Sequence, residues 1–161
     1  MEEQFSTSDL YDAFANRCGS CEVQFKQYGR RRHFSGRIRT VKCINDNALI
    51  RRLFETAAAG EVLVVDGGAS LSSALMGDMI AALGAKNGWS GAVILGAVRD
   101  VCALAQMGFG VKALGSNPKK SSKTGDGCID EALLFGGVTF APGHWLYSDD
   151  DGIIVSAEKL S

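Results

Sequence analysis

The chain has 161 residues, 46% of them hydrophobic and 22% charged, with a formal net charge of −1, a composition that excludes a disordered or strongly basic protein. Its length reads as one domain over 1–161 with a substantial core, and its charge balance gives no reason to expect direct nucleic-acid binding. The opening MEEQFSTSDL lacks the basic-then-apolar pattern of a secretory signal, and no apolar run approaches the ~20 residues of a membrane span, so a cytoplasmic protein with no membrane partner is expected.

FSTSDLYDAFANR starts with cap-forming Ser6, Thr7 and Ser8 and places Leu10, Ala13 and Phe14 on one face, predicting a short helix. Behind it comes Cys18-Gly-Ser-Cys21. Such spacing can be a redox pair or half a zinc site, but no second Cys-x-x-Cys or paired His follows, and the motif trails a helix instead of opening one. With five cysteines in all, an odd number, reduced incidental thiols are expected. The run Arg30-Arg31-Arg32-His33 reads either as a phosphate grip or as a hydrated turn.

HFSGRIRTVKC alternates Ile38, Thr40 and Lys42 against Arg37, Arg39 and Val41, a strand. NDNALIRRLFETAA follows as a helix capped by Asn45 or Asp46. GEVLVVDGG is an apolar strand stopped by Asp66 and two glycines that allow a turn with positive φ. SLSSALM is a short extended piece. GDMIAALGAKNG is a helix with Met79, Ile80, Ala82 and Leu83 in helical spacing and a stop at Gly88. GAVILGAVRDV is a buried strand ending on Arg99-Asp100, VCALAQMG a short helix and FGVKALG a strand. GSNPKKSSKTGDG is the most loop-like stretch; its Lys119, Lys120 and Lys123 either attract an anionic substrate or mark a solvated loop. VTFAPGHWLYSDDDGIIVSAE reads as two strands joined by a polar turn. Strands alternating with helices and then a strand-rich end give a mixed α/β layered domain.

Ligands of layered α/β proteins tend to lie beyond the carboxyl ends of strands, where Arg99-Asp100 falls. The helix starting near Gly77-Asp78 offers unpaired amides to a carboxylate or phosphate, and Arg99 suits bidentate carboxylate recognition. Carboxylates beside an anion repel it unless a cation intervenes. Mg²⁺, which binds through one or two carboxylates, waters and substrate oxygens, resolves the conflict, with Asp100 and Asp78 as candidate anchors. The plainer alternative makes Asp78 a helix-start charge and Arg99-Asp100 a surface ion pair worth ~0–1 kcal/mol. Spacing alone leaves both open.

Asp78, twenty intervening residues and then Arg99-Asp100, together with STSDLYDA, VLVVDGG, MGDMIAALGAKNGWSGAVILGAVRDV, FGGVTFAPG and LYSDDDGIIV, resembles the RraA-like family. That family joins the regulator of ribonuclease activity A to class II 4-hydroxy-4-methyl-2-oxoglutarate aldolases. TVKC, the DGG turn and GAVR are most similar to the regulator branch. The resemblance implies a layered swivelling β/β/α domain of the phosphohistidine-domain type, assembled as a homotrimer or dimer of trimers with sites between subunits. Aldolase members use Mg²⁺ or Mn²⁺ to cleave 4-hydroxy-4-methyl-2-oxoglutarate into two pyruvates, and they decarboxylate oxaloacetate. Both reactions pass through pyruvate enolate, whose charge a divalent Lewis acid stabilises.

Carried over by position, the resemblance implies that Gly77, Asp78, Met79 and Ile80 surround the substrate carboxylate and keto group. It makes Arg99 the residue that pairs with substrate and enolate charge and Asp100 the metal anchor, and it has Asp78 orient a metal-bound water for proton transfer. Two positions depart from the aldolase pattern: Ala103 stands where an acid commonly follows Arg-Asp, and His144 where one often follows Pro-Gly. The loss at Ala103 predicts decarboxylation favoured over aldol cleavage. The three site residues favour an enzyme; the alternative is a non-catalytic inhibitor that binds ribonuclease E.

Overall fold

The computed structural model describes residues 4–160; the first three residues, part of the start read above as lacking a secretory signal, and Ser161 lie outside the described residues. The chain begins with α1 (Thr7–Phe14), β1 (Cys18–Ser20), β2 (Lys26–Gln27), β3 (Phe34–Lys42) and α2 (Ala48–Phe54). It continues through β4 (Val62–Asp66), β5 (Ala74–Met76), α3 (Asp78–Lys86), β6 (Gly91–Val98), α4 (Val101–Leu104) and β7 (Gly110–Ser116). It ends with β8 (Cys128–Ile129), β9 (Leu133–Phe135), β10 (Val138–Phe140), β11 (Trp145–Ser148) and β12 (Ile153–Ser156). One large sheet has the order β1-β12-β11-β3-β4-β6-β7-β2, with β5 added to β6 and β8 to β3, while β9 and β10 form a separate hairpin. β3, β4, β6 and β7 are mutually parallel. Among the described residues, no helix is long and apolar enough to cross a membrane.

The period-two geometry of the central strands builds two cores. Leu63 and Val65 of β4, with Ala92 and Ile94 of β6, face the apolar side chains of α2 and α3. Val62, Val64 and Val93 face the other way, onto Leu133, Val138 and Phe140 of the hairpin. Hairpin, sheet and helices are thus the β/β/α layers of the mixed α/β class expected. Each fully buried large apolar side chain contributes about 1.5–3 kcal/mol. On the helical side the core centres on Phe54, whose ring meets Trp89 at 5.1 Å and Phe109 at 5.8 Å, both edge-on. It packs so closely on α3 that a Cβ at Gly84 would lie 2.9 Å from its ring.

Several elements differ from the sequence reading. α2 spans only Ala48–Phe54, with Asn47 at the N-cap position in place of Asn45 or Asp46: Asn45 adopts a left-handed backbone (φ 54°), while Asp46 accepts the Ala48 amide at 3.2 Å and also the 124–125 backbone. In β3 the alternation fails at its end: Val41 is buried and Lys42 exposed, since both faces are covered there and Val41 enters the helical core. α3 buries Ile80, Ala81 and Gly84, whereas Met79 is 76% exposed and Ala82 is exposed; the face toward the sheet is rotated from the one expected. In α1, Ser6 is the cap, accepting from the Asp9 amide; Leu10 and Phe14 pack on the Tyr147 cluster, while Ala13 is exposed.

The C-terminal segment holds three strands, not two, because the turn around Gly143 separates β10 from β11. β1, β2, β8 and β9 were not anticipated; they are two or three residues each and take their order from neighbours. The Arg-rich turn is structural in part: Arg32 pairs with Asp150 at 2.7 Å and His33 meets Phe5 edge-on. Cys18 donates its thiol to the Phe14 carbonyl at 3.3 Å. Burial raises the pKa of both Cys18 and Cys21, which suits unreactive thiols.

Candidate active site

Strand β6 stays paired with β5 and β7 through its last residue, Val98, and the ladder to β5 runs one bond further: the Arg99 amide donates to the Met76 carbonyl at 3.0 Å. Asp100 then takes a left-handed backbone (φ 58°, ψ 43°) and opens α4. That turn aims its carboxylate at the start of α3, where Oδ2 accepts the Asp78 amide at 3.1 Å. Asp100 therefore caps a helix 22 residues away and occupies one of the amides expected to face substrate. By helical geometry the next two amides, Met79 and Ile80, have no intrahelical acceptor. Gly77, extended at φ −123° and ψ −162°, is the contact point. A Cβ there would sit 2.4 Å from Asp100 Oδ2 and 3.2 Å from Arg99 Cγ, so only glycine lets both side chains converge.

Gly77, Asp78, Met79, Ile80, Arg99 and Asp100 all line one cavity of about 320 Å³, so the six residues singled out in the sequence come together. Arg99 and Asp100 do not form an ion pair among the described residues. Arg99 instead donates to the Pro118 carbonyl at 3.4 Å, which turns its guanidinium toward the 117–127 loop. The surface-pair alternative is thereby replaced by two side chains with separate anchors.

On the opposite wall the lysines were among those singled out in the sequence, whereas the α2 side was missed. Asn47, Ala48, Arg51, Arg52 and Glu55 of the α2 region line the cavity, as do Lys120 and Lys123. Arg51 is tied to Glu55 at 3.2 Å, leaving Arg52, Arg99, Lys120 and Lys123 as cations facing Asp78 and Asp100. The one signal available was Arg51-Arg52 on the polar side of an otherwise apolar helix, and nothing local says which neighbour that side meets.

Nor is the lysine loop a free solvated one, although its lysines are exposed. Asp46 accepts from the Thr124 amide at 2.6 Å, the Thr124 hydroxyl at 2.7 Å and the Gly125 amide at 3.1 Å. Ser121 donates to the Ala74 carbonyl at 2.7 Å, and Asn117 to the Leu71 carbonyl at 2.7 Å. Burial opposes ionisation of Asp46, but its hydrogen bonds from Thr124, Ala48 and Gly125 outweigh that and hold its carboxyl below the usual range. Nearby Cys43 is pushed up to about 12 by burial, with Asp46 and Asp66 adding to the shift, so it stays a thiol. Lys119 lies outside this cavity, lining a smaller neighbouring one with Asn45 and Ser121.

Hard oxygens are the donors available to a metal. No His or Cys is among the described residues lining the cavity, and no group of three or more His, Cys, Asp or Glu converges among the described residues. Two carboxylates fit Mg²⁺ or Mn²⁺, which leave remaining positions to water and substrate, better than a soft ion.

A protein-family profile described as RraA-like, Aldolase/RraA, matches residues 7–155. Among solved structures, the chain is similar to an S-adenosylmethionine: 2-dimethylmenaquinone methyltransferase from Geobacillus kaustophilus HTA426, at 43% identity over 97% of each chain with a TM-score of 0.95. It is similar to the RNA-processing inhibitor RraA from Thermus thermophilis, at 41% identity over 99% of this chain and 96% of that one, with a TM-score of 0.94. RraAS2 of Streptomyces coelicolor shares the fold at 24% identity, covering 94% of this chain and 79% of that one, with a TM-score of 0.76.

Proposed function

The chain belongs to the RraA-like family, Aldolase/RraA, and on that premise we propose that it is a divalent-metal-dependent carbon–carbon lyase acting on small 2-keto dianions. The observation that carries this reading is the convergence of Arg99, Asp100 and Asp78 at the start of α3 in a cavity otherwise rich in cations. Oxaloacetate and 4-hydroxy-4-methyl-2-oxoglutarate are the substrates proposed.

Asp100, with Asp78, would hold Mg²⁺ or Mn²⁺, which supplies Lewis-acid polarisation of the 2-keto group when bound. The amides of Met79 and Ile80 bind the adjacent carboxylate at the positive end of α3. Arg99 pairs with the keto oxygen and stabilises the negative charge that develops on it. In oxaloacetate the C3–C4 bond breaks, CO₂ leaves, and the bonding pair becomes the enolate of pyruvate. Asp78 positions the water that returns a proton to C3. Arg52, Lys120 and Lys123 receive the distal carboxylate. Aldol cleavage additionally needs a proton taken from the 4-hydroxyl, and Ala103, on α4 next to the site, provides no carboxylate for it. Decarboxylation is therefore expected to be the faster reaction.

The assembly proposed is a homotrimer or a dimer of trimers in the cytoplasm. Ile44, Leu71, Met79 and Val101 are 58%, 49%, 76% and 37% exposed, and they follow strand ends on the side of the cavity, apolar area that a second copy would cover.

The test is oxaloacetate decarboxylation with Mg²⁺, with chelator, and in Arg99→Ala and Asp100→Ala. Metal-dependent turnover lost in both variants supports the reading; turnover no faster than free metal ion rejects it. A second reading, a non-catalytic inhibitor of ribonuclease E, is favoured by the 41% identity to the Thermus RNA-processing inhibitor. Inhibition of RNA cleavage at stoichiometric protein, unchanged in Asp100→Ala, would favour that one.

A further inference from the structure

A second cavity, of about 430 Å³, opens at the other end of the sheet. Gly60 and Glu61 directly precede β4 and Ser90 directly precedes β6, so this cavity lies at the amino ends of the parallel strands, away from Arg99 and Asp100. Its charged lining is Arg31, Arg37, Lys159 and Glu61. The single acid is engaged: Glu61 accepts the Ala59 amide at 2.6 Å. None of the three cations belongs to an ion pair among the described residues, and Arg31 Nε is buried with no hydrogen-bond partner.

The ring of Trp145 explains how the other two are held. Arg37 Cζ lies 5.3 Å from its centroid, and Lys159 Nζ also lies 5.3 Å away. A ring quadrupole orients a cation without neutralising it and leaves N–H donors free. Three cations against one acid leave the lining net positive; Arg37 and Lys159 are exposed to water, and the buried, unpartnered Nε of Arg31 is the donor whose missing acceptor is costly.

We propose that this cavity is a binding site for a phosphate or diphosphate group of a small phosphorylated ligand. A multiply charged tetrahedral group matches three cations, whereas one carboxylate brings a single charge, and guanidinium forks bind phosphate oxygens two at a time. The volume exceeds that of a lone phosphate and falls in the range of small-molecule sites.

Trp145 is the reporter. Of the two tryptophans, Trp89 is 4% exposed in the core and serves as a silent internal reference. Inorganic pyrophosphate titrated into the whole protein is expected to change Trp145 emission saturably, one per chain, with a midpoint on the order of 1 mM or below. Arg31→Gln and Lys159→Gln should each weaken binding about 10-fold, the loss of one charge-assisted hydrogen bond. Arg99→Ala should leave it unchanged, and malonate at equal ionic strength should bind at least about 10-fold more weakly. Lys159→Gln is a surface change that keeps the fold intact should Arg31→Gln fail to fold. No saturation, equal affinity for malonate, or binding lost in Arg99→Ala but kept in Lys159→Gln would each overturn the proposal.

Discussion

At the amino ends of the parallel strands, the left-handed backbone positions are filled by glycine, Gly60 at φ 93° and Gly88 at φ 95°. At the carboxyl ends they include Asn45 at φ 54°, Ala69 at φ 59° and Asp100 at φ 58°. A left-handed conformation costs an L residue roughly 1–2 kcal/mol and glycine almost nothing. At Asn45 and Asp100, though not at Ala69, the carboxyl end holds that conformation where a side chain makes a hydrogen bond. Asn45 Oδ1 accepts the Ser70 hydroxyl at 2.8 Å and the Ser73 hydroxyl at 3.1 Å, and Asp100 reaches the Asp78 amide. Strain concentrated where the proposed chemistry lies is the pattern of a built site; the amino end is finished for closure of the fold, with its charges carried by side chains alone.

The largest effect expected is Gly77→Ala. Its Cβ would displace the Asp100 carboxylate, so oxaloacetate turnover should fall on the order of 10²–10³-fold while stability falls only by the lost cap on α3, about 1 kcal/mol. A large drop in stability with activity retained per folded molecule would break the contrast between the two ends. Asp100→Asn separates strain from charge: it keeps a left-handed-tolerant residue and a capping oxygen, so stability should stay within about 1 kcal/mol while turnover collapses.

Lys112 probes the scaffold away from both cavities. It is 3% exposed, and its ammonium donates to the carbonyls of Asp149 and Gly152 in the turn between β11 and β12. Lys112→Met takes the ammonium donor from the buried Asp149 carbonyl, while Gly152 keeps the Asp149 amide, and should cost about 1–3 kcal/mol in urea unfolding. Burial lowers the Lys112 pKa from 10.5, against the pull of Asp149 and Asp150. The unfolded chain then binds that proton more tightly, so wild-type stability should rise as pH climbs from the folded value toward 10.5, a slope the Met variant lacks.

Asp46→Asn should cost about 1–2 kcal/mol and raise KM for oxaloacetate by loosening the lysine loop, with kcat less affected. Because the folded carboxyl titrates below 3.8, its stabilisation is fully present above that value and is lost as pH falls through the folded pKa. Urea midpoints should show a constant gap between wild type and variant above pH 3.8 that closes as pH falls further, toward about 2; a gap unchanged there would mean the carboxylate charge is irrelevant. The smallest effect tests strain alone. Ala69→Gly relieves ~1–2 kcal/mol but loosens the unfolded chain by ~0.4–1, for a net gain of roughly 0.5 kcal/mol. Gly60→Ala, with only Ser90 Oγ at 3.6 Å nearby, should lose roughly 0.5–1 kcal/mol by the same two terms.

Much was legible one residue at a time. Apolar runs at 62–65 and 91–98, the cap at Ser6 and the abrupt charges at 99–100 are local signals, because burial on both faces and helix starts leave their mark in adjacent residues. Strand pairs of two or three residues leave none, since a hydrogen-bond ladder to a distant partner, not their own pattern, makes them strands. The rotated face of α3 was misread for a related reason: Met79 is apolar, yet it lies at the cavity and not on the sheet.

The candidacy of Arg99, Asp100 and Asp78 as a site at a strand end, and the layered α/β class, were legible in the sequence by itself, since side-chain type and hydrophobic period are properties of the chain. That Arg52, Lys120 and Lys123 share a cavity with them, that Asp100 caps a helix 22 residues away, and that Arg31, Arg37 and Lys159 meet at the far end were decided only by the tertiary structure. Loop closure and sheet order bring such groups together, and both depend on contacts between segments far apart in the chain.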